Sequence, residues 1–188
     1  KRDIFLDEQD YAVFLNYLKK YLDPTPGSDP SWRLKTLSGE IDLITFCLMP
    51  NHFHLLAKQI TRNGIIKLIR AVCTNYVMYF NKKYERVGTL FQGKYKGIMI
   101  DNDNYFLHVS RYIHLNPYPK SDPKSYPYSS FSYYLGQRNA TWVKPQEILS
   151  FFKSAKRIGP KDFLSYQAFV EDYPEDSGEI LGDLTLES

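Results

Sequence analysis

The sequence predicts an α+β fold, in which helices pack on an antiparallel β-sheet. Its periodic segments follow the order helix, strand, strand, helix, strand, helix, and a short Met-Pro-Asn turn joins the first two strands into a hairpin. The strongest helical pattern comes directly after that hairpin. The 188 residues are enough for one domain of ordinary size.

The first half of the chain supplies a helix and the hairpin. Residues 7–22 carry apolar side chains at helical spacing and acidic residues in the opening turn, which predicts an amphipathic helix. Residues 40–48 alternate as a strand does, and residues 51–58 follow as the second strand. A strand before Asp7 would complete a ferredoxin-like pattern, although residues 1–6 are barely long enough to supply it. Without that strand the sheet would have an unpaired edge.

Two helices and a strand follow the hairpin. Residues 65–84 have one apolar stripe with Lys and Arg elsewhere, which predicts a long helix. Residues 91–100 predict a strand, and residues 101–104 supply capping groups for a helix over residues 103–115. Pro117 sets the end of that helix, because the residue before a proline avoids helical geometry.

The chain divides into a main domain and a short extension. Residues 1–135 hold the predicted sheet and its helices, and the part from Pro117 onward is expected to wrap this domain. Residues 136–170 form a C-terminal helical extension with short helices at 147–152 and 162–170. Residues 171–188 are an acidic tail that is expected to be mobile.

Composition excludes several classes of protein. No apolar run approaches the roughly 20 residues that a membrane span requires, so no membrane association is expected. Cys47 and Cys73 lie within apolar stretches and not in a spaced framework, which argues against a disulfide-stapled fold and against a four-cysteine zinc site. This cysteine content fits a protein of the reducing cytoplasm best.

The charge of the chain is unevenly distributed. The net formal charge is +3, but residues 171–188 hold seven of the 21 acidic residues and no Lys or Arg, so the rest carries +10. Between Lys58 and Lys96 there are nine Lys or Arg and one acid, Glu85, with aromatic residues interleaved. Basic groups bind phosphates, and exposed rings stack on unpaired bases. Composition alone fits equally well with buried rings beside a solvated basic face.

A His-x-His pair is the first chemical signal. His52 and His54 fall on the predicted second strand, where residues i and i+2 face the same way with Cα atoms roughly 7 Å apart. Both imidazoles can therefore converge on one metal ion while Phe53 points into the core. The alternative is that they are two ordinary surface histidines on a strand.

A second signal lies on the predicted helix over residues 103–115. Tyr112 and Asn116 stand four residues apart on one face, while His114 points to roughly the opposite side. A tyrosine hydroxyl can attack a phosphodiester when a cation polarises the phosphate. His52, His54 and the Asn116 amide oxygen would give that cation a mixed nitrogen and oxygen ligand set, which suits Mg²⁺ or Mn²⁺, with Zn²⁺ also compatible. The alternative is that Tyr112 is a packing residue, as most helical tyrosines are.

Three sequence blocks carry a resemblance to a known family. They are Cys47-Leu48-Met49-Pro50-Asn51-His52-Phe53-His54-Leu55-Leu56, then Arg86-Val87-Gly88-Thr89-Leu90-Phe91-Gln92-Gly93-Lys94-Tyr95, and Arg111-Tyr112-Ile113-His114-Leu115-Asn116-Pro117. In order and spacing they resemble the single-tyrosine HUH transposases of the IS200-like family, most closely the REP-associated tyrosine transposase (RAYT) branch. The resemblance covers residues 4–134 and implies the ferredoxin-like, RRM-like fold of HUH endonucleases for the main domain.

The resemblance implies a metal-dependent enzyme that cleaves and rejoins single-stranded DNA next to hairpins without a nucleotide cofactor. It makes His52 and His54 the metal ligands, places Asn116 at the third ligand position, and makes Tyr112 the nucleophile that becomes linked to the 5′ phosphate. Relatives often carry Gln at the position of Asn116, and Pro117 is close enough to turn its amide away. His114 is then expected to be a structural group, and it is the fallback ligand if Asn116 does not bind the metal. Relatives also carry an additional strand before the segment at residues 3–5.

DNA binding is expected from the basic segment. The candidates for phosphate contacts, with Tyr95 as a stacking residue, are Lys82, Lys83, Arg86, Lys94, Lys96 and Arg111. Each of these cations is equally well explained as a solvated surface group. The resemblance further implies a bacterial-type cytoplasmic protein associated with the nucleoid, and it leaves monomer and homodimer open. The acidic tail is hypothesised to mimic DNA and cover the basic groove.

Two alternatives to the transposase remain. One is a catalytically silent regulator that binds hairpin DNA on the same fold. The other is a replication-initiator or relaxase-type HUH endonuclease, which is usually a larger chain. Intact His52, His54 and Tyr112 argue against the first, and the chain length argues against the second.

Overall fold

The structure is a computed structural model that describes residues 2–25, 36–153 and 165–172. Over these ranges helices pack on a two-stranded antiparallel sheet, which confirms the predicted α+β class. The elements in chain order are α1 (Glu8–Leu22), β1 (Ile41–Met49), β2 (His52–Gln59), α2 (Gly64–Lys83), α3 (Asp103–Leu115), α4 (Phe131–Tyr134), α5 (Gln146–Lys153) and α6 (Tyr166–Glu171).

The hairpin is tightly registered. Met49 lies opposite His52 and Cys47 opposite His54, so both histidines share a face of the sheet with those two residues. The segment before α1 stabilises the turn, because the backbone amides of Ile4 and Phe5 both donate to the Pro50 carbonyl, at 2.7 and 3.0 Å. Residues 2–7 are therefore not the additional strand of a ferredoxin-like pattern; they hold the hairpin turn instead.

A β-bulge lets β1 contribute side chains to two hydrophobic cores, one on each face of the sheet. The pairing passes from Leu43 opposite Ala57 to Thr45 opposite Leu56, which leaves Ile44 as an extra residue. The bulge reverses the alternation of faces. On one side four β1 residues pack with α1 and α2, and on the other side two pack with α3, α4 and α6. The first set is Ile41, Leu43, Phe46 and Leu48, and the second is Ile44 and Cys47.

The segment after α3 covers the outer edge of β1. Leu48 donates its backbone amide to the Tyr128 carbonyl, and Ser130 donates to the Phe46 carbonyl, each at 2.9 Å. Further along, Lys144 donates to the Leu43 carbonyl at 2.8 Å. The wrapping expected after Pro117 is thus a connection that covers the outer edge of β1.

The prediction of a strand over residues 91–100 is wrong. This segment has no regular secondary structure, and residues 92–99 are exposed. Gly93 lies at a φ of 91°, which breaks an extended backbone, and the outer edge of β1 is already occupied by residues 128–130 and 143–144. The segment is anchored at its two ends, where the Phe91 ring lies 6.0 Å from that of Phe53 and Ile100 packs against the core on the α3 side of the sheet.

Other predicted elements agree closely with the structure. The four elements α1, β1, β2 and α2 match the sequence prediction within two residues, and α3 matches it at both ends. The short α4 was not predicted. The start of the helix predicted over 162–170 and the acidic tail from residue 173 lie outside the described residues. Over the described residues no helix has the length and apolarity for a membrane span.

A buried carboxylate joins α1 to α2. Asp10 is fully buried and accepts hydrogen bonds from Lys83 Nζ (2.9 Å), the Tyr79 and Tyr84 hydroxyls (2.9 and 2.8 Å) and the Leu6 amide (2.8 Å). Burial raises the pKa of Asp10, but these hydrogen bonds outweigh it and hold the pKa below its ordinary value. The cluster fixes how the two helices pack.

We expect Asp10→Asn to lower the free energy of unfolding by about 2 kcal/mol, because an amide cannot accept all four donors and leaves Lys83 with a weaker partner. The matched control is Asp7→Asn. Asp7 also contacts Lys83, but its side chain is half exposed, and asparagine keeps its role as the N-cap of α1. Urea unfolding measures both variants, and equal losses would contradict the assignment of Asp10 as the central acceptor.

Candidate metal and nucleophile site

Strand β2 presents the His-x-His pair toward helix α3. His52 and His54 are both half-buried, and their rings meet edge to face with centroids 4.9 Å apart. Phe53, between them, points to the opposite face and packs its ring 4.9 Å from that of Phe14. The alternation of the strand therefore separates the two imidazoles from the core residue, as the sequence predicts.

Helix α3 brings Tyr112 to the same face. The Tyr112 ring is half-buried and lies 5.6 Å from the His54 ring, again edge to face. The helix starts at a good N-cap, because the Asn102 side chain accepts from the Tyr105 amide at 2.8 Å. The aromatic ring is neither withdrawn into the core nor distant from the imidazoles.

Asn116 lies at the end of α3 and still reaches the site. It is the C-cap residue with helical dihedral angles (φ −51°, ψ −35°), so the following proline does not turn it away. Its Oδ1 atom is 3.4 Å from Nε2 of His52. The amide therefore meets the first histidine of the pair across the gap between strand and helix.

This donor set fits a divalent cation. Two atoms that bind one ion at about 2.1 Å lie roughly 3.0–3.4 Å apart, for octahedral to tetrahedral angles. The separation of His52 Nε2 and Asn116 Oδ1 is within this range. Among the described residues no group of three or more His, Cys, Asp or Glu side chains is placed to hold a metal. The donors that the sequence predicts for a metal here are two imidazole nitrogens and one amide oxygen.

His114 is a structural residue. It is fully buried, and its two ring nitrogens contact the Tyr166 hydroxyl and Ser130 Oγ, each at 2.7 Å. Tyr166 donates onward to Ser110 at 3.0 Å, so His114 Nδ1–H donates to Tyr166 and Nε2 accepts from Ser130. Burial lowers the pKa of this neutral imidazole to about 3. It cannot serve as the fallback metal ligand, because both nitrogens are already used.

Arg111 is also used inside the fold. Only 3% of its surface is exposed, and its guanidinium donates to the Phe169 carbonyl at 3.2 Å and to His108 Nδ1 at 3.1 Å. It also lies 4.5 Å above the Phe169 ring. The prediction of a phosphate contact at Arg111 is therefore corrected: this cation fastens α6 to α3. Lys83, held by Asp7 and Asp10, is likewise engaged within the fold.

The remaining candidates for DNA contacts lie near the surface. Lys82, Lys94 and Lys96 are exposed, and Arg86 is half-buried with its guanidinium 5.7 Å from the Phe80 ring. Tyr95 is 46% exposed and stays available for stacking. The other rings of the basic segment, by contrast, belong to the core or pack on it: Tyr76, Tyr79, Phe80, Tyr84 and Phe91.

The sequence prediction missed a role for Asn51. Its Oδ1 atom lies 2.6 Å from Nδ1 of His52, on the side of the ring away from Asn116. The sequence places Asn51 in the Met-Pro-Asn turn and at the start of the second strand, and predicts no part for its side chain in the site. Its position directly before the His-x-His pair was the one available signal, since nothing in the pattern tells where its side chain points.

Comparison with known proteins identifies one similarity. Residues 34–116 match the family model described as "Transposase IS200 like", and this range contains His52, His54, Tyr112 and Asn116. No match was found among curated proteins or among solved structures. The match covers less than half of the chain, and the family that it describes is one of transposases. The RAYT branch and the division of the chain at residue 135 stay predictions.

The buried state of His114 predicts a dependence of stability on pH. Its pKa of about 3 in the fold lies below the ordinary 6.5, so the unfolded chain binds the proton more readily. This contribution to stability is complete above pH 6.5 and is lost as the pH falls toward 3. Between pH 7 and 5 we expect His114 to account for a loss of about 2 kcal/mol.

The measurement compares urea unfolding of the wild type and His114→Gln at both pH values. The variant should be less stable at pH 7 but should lose about 2 kcal/mol less than the wild type on acidification. The burial and the neighbouring Arg111 also lower the pKa of His108, and this contribution is common to both proteins. Parallel losses in the two proteins would contradict the assignment.

Proposed function

We propose that this protein is a single-tyrosine HUH transposase, of the REP-associated type, that cleaves and rejoins single-stranded DNA next to hairpins. The observation that carries the proposal is the meeting of four side chains from two elements. His52 and His54 on β2 face Tyr112 and Asn116 on α3, with contacts of 3.4 Å between His52 and Asn116 and 5.6 Å between the His54 and Tyr112 rings.

His52, His54 and Asn116 would hold a divalent cation, Mg²⁺ or Mn²⁺. When bound, such a cation polarises the phosphate and stabilises the charge that develops on the leaving oxygen. The protein orients the ligands in advance, since β2 fixes both imidazoles on one face and the end of α3 fixes the amide. The support for this ligand set is the convergence of the three side chains and the family match that contains them.

Tyr112 would act as the nucleophile. Its phenolic oxygen gives up its proton and forms a bond to phosphorus, while the bond from phosphorus to the 3′ oxygen breaks and that oxygen takes a proton. The product is a 5′-phosphotyrosine and a free 3′ hydroxyl. Attack by a different 3′ hydroxyl on the same phosphorus reverses the step and rejoins DNA. No nucleotide cofactor is required, because each exchange replaces one phosphoester with another.

The DNA would lie across the C-terminal end of α2 and the exposed basic segment that follows it. Lys82, Lys94 and Lys96 offer phosphate contacts there, Arg86 is half-buried beside them, and Tyr95 offers a ring for stacking on an unpaired base. These contacts give affinity with little choice of sequence. Action on the DNA of a bacterial-type cell would place the protein at the nucleoid in the cytoplasm, as a monomer or a homodimer.

Replacement of the nucleophile separates cleavage from binding. Tyr112→Phe should abolish the covalent adduct while DNA affinity changes less than twofold, since the phosphate contacts do not involve the phenol. The substrate is a labelled single-stranded oligonucleotide from the DNA that flanks the gene, incubated with Mn²⁺, and the adduct is scored by denaturing electrophoresis. Tyr105→Phe on the same helix is the control and should retain the adduct.

A persistent adduct in Tyr112→Phe would overturn the nucleophile assignment. Binding of the hairpin DNA by the wild type without any adduct would instead favour the silent regulator.

The phosphate contact proposed for Lys94 gives a second testable prediction. Lys94→Gln should weaken single-stranded DNA binding and reduce the slope of log K against log salt by about 0.7, the value for one lost phosphate contact. Lys58→Gln is the matched control, because Lys58 is exposed but paired with Glu147 at 3.2 Å. Fluorescence anisotropy over a salt series measures both variants. Equal slopes for Lys94→Gln and the wild type would exclude Lys94 from the DNA surface.

A further inference from the structure

The proton of His52 can be placed from two of its neighbours. Nδ1 lies 2.6 Å from Asn51 Oδ1, a short contact, whereas Nε2 lies 3.4 Å from Asn116 Oδ1, which is longer than an ordinary hydrogen bond. An amide oxygen can only accept, so the short contact requires a proton on Nδ1. A neutral His52 then carries no proton on Nε2.

This tautomer directs a lone pair at the amide of Asn116. Nε2 and Asn116 Oδ1 are then two electron-rich atoms that face each other with no proton between them. Such a pair is stabilised by a cation that both atoms bind. The opposite tautomer, with a proton on Nε2, would close the gap with a weak hydrogen bond and leave no lone pair for a metal.

We propose that Asn51 is a positioning residue that selects the metal-binding tautomer of His52. The inference rests on the proposed function, in which His52 is a metal ligand. Asn51 does not touch the metal or the DNA in this proposal. It acts through the imidazole, by accepting the Nδ1 proton and fixing both the tautomer and the orientation of the ring.

The fold holds Asn51 in place whether or not a metal is bound. It occupies the turn between β1 and β2, where the adjacent Pro50 carbonyl accepts the amides of Ile4 and Phe5. The register pairs Met49 with His52 directly after it. Asn51 is half-buried, and its φ is not positive, so alanine fits the same backbone. The turn thus orients the imidazole before any ligand arrives.

The test reads the tautomer in the metal-free protein. Nitrogen-15 NMR of the histidine side chains, recorded at about pH 8, distinguishes a protonated from an unprotonated ring nitrogen. Wild-type His52 should carry its proton on Nδ1. Asn51→Ala should shift the population toward the Nε2–H tautomer, and Asn51→Asp, which keeps an acceptor at this position, should restore the wild-type pattern. Asn104→Ala, at an exposed site on α3, is the control.

A second readout is the affinity for Mn²⁺ alone, measured by calorimetry. Asn51→Ala should weaken Mn²⁺ binding about 10-fold or more, the usual effect of removing a group that orients a ligand, and Asn51→Asp should not weaken it. Thermal unfolding of the variants shows whether the turn survives. If Asn51→Ala unfolds, wild-type His52 still tests the inference through its own tautomer.

Two results would overturn the inference. One is a wild-type His52 with its proton on Nε2, and the other is an Asn51→Ala variant whose tautomer or Mn²⁺ affinity is unchanged. Failure of the proposed function has a different signature: the tautomer behaves as described, but the wild type forms no Tyr112 adduct with DNA.

Discussion

The site depends on one buried attachment between α3 and the hairpin. Tyr112 and Asn116 belong to α3, whereas the two histidines belong to β2, more than fifty residues earlier in the chain. His114 bridges the two parts, since its Nε2 meets Ser130, and Ser130 accepts from the Phe46 amide of β1 at 2.9 Å. A hydrogen bond in a dry interior has strict geometry, so this contact fixes the helix against the sheet.

Helix α3 therefore has two faces with different tasks. Residues 112 and 116, four apart, meet the histidines of β2, while His114 and Arg111 anchor the helix to Ser130 and to α6. The anchoring groups are polar side chains, yet they are buried and hydrogen-bonded. This arrangement explains why the sequence pattern alone is ambiguous: a histidine and an arginine beside a tyrosine look equally suited to catalysis.

Local periodicity was sufficient to predict the first two strands, helices α1 to α3 and the shared face of the histidine pair, but it could not predict long-range pairing. The two-residue period of β2 places His52 and His54 on one face of the strand. The four-residue spacing of Tyr112 and Asn116 places them on one face at the end of α3. The partners of Arg111 and Lys83 come from α6 and α1, which no local pattern indicates. The prediction of a strand over residues 91–100 failed for the same reason, because a segment can form a strand only where another strand offers a free edge.

The chemical character of the ligand set has a consequence for the substrate. Two neutral imidazoles and a neutral amide contribute no negative charge, in contrast to the carboxylates that hold many divalent ions. A cation bound by the proposed ligands His52, His54 and Asn116 would keep its full double charge toward a phosphate. Asn116 supplies an oxygen without a charge, and this is the property that distinguishes asparagine from aspartate at the end of α3. Such a ligand set would favour an anionic substrate over a neutral one, as the proposed attack of Tyr112 on a phosphodiester requires.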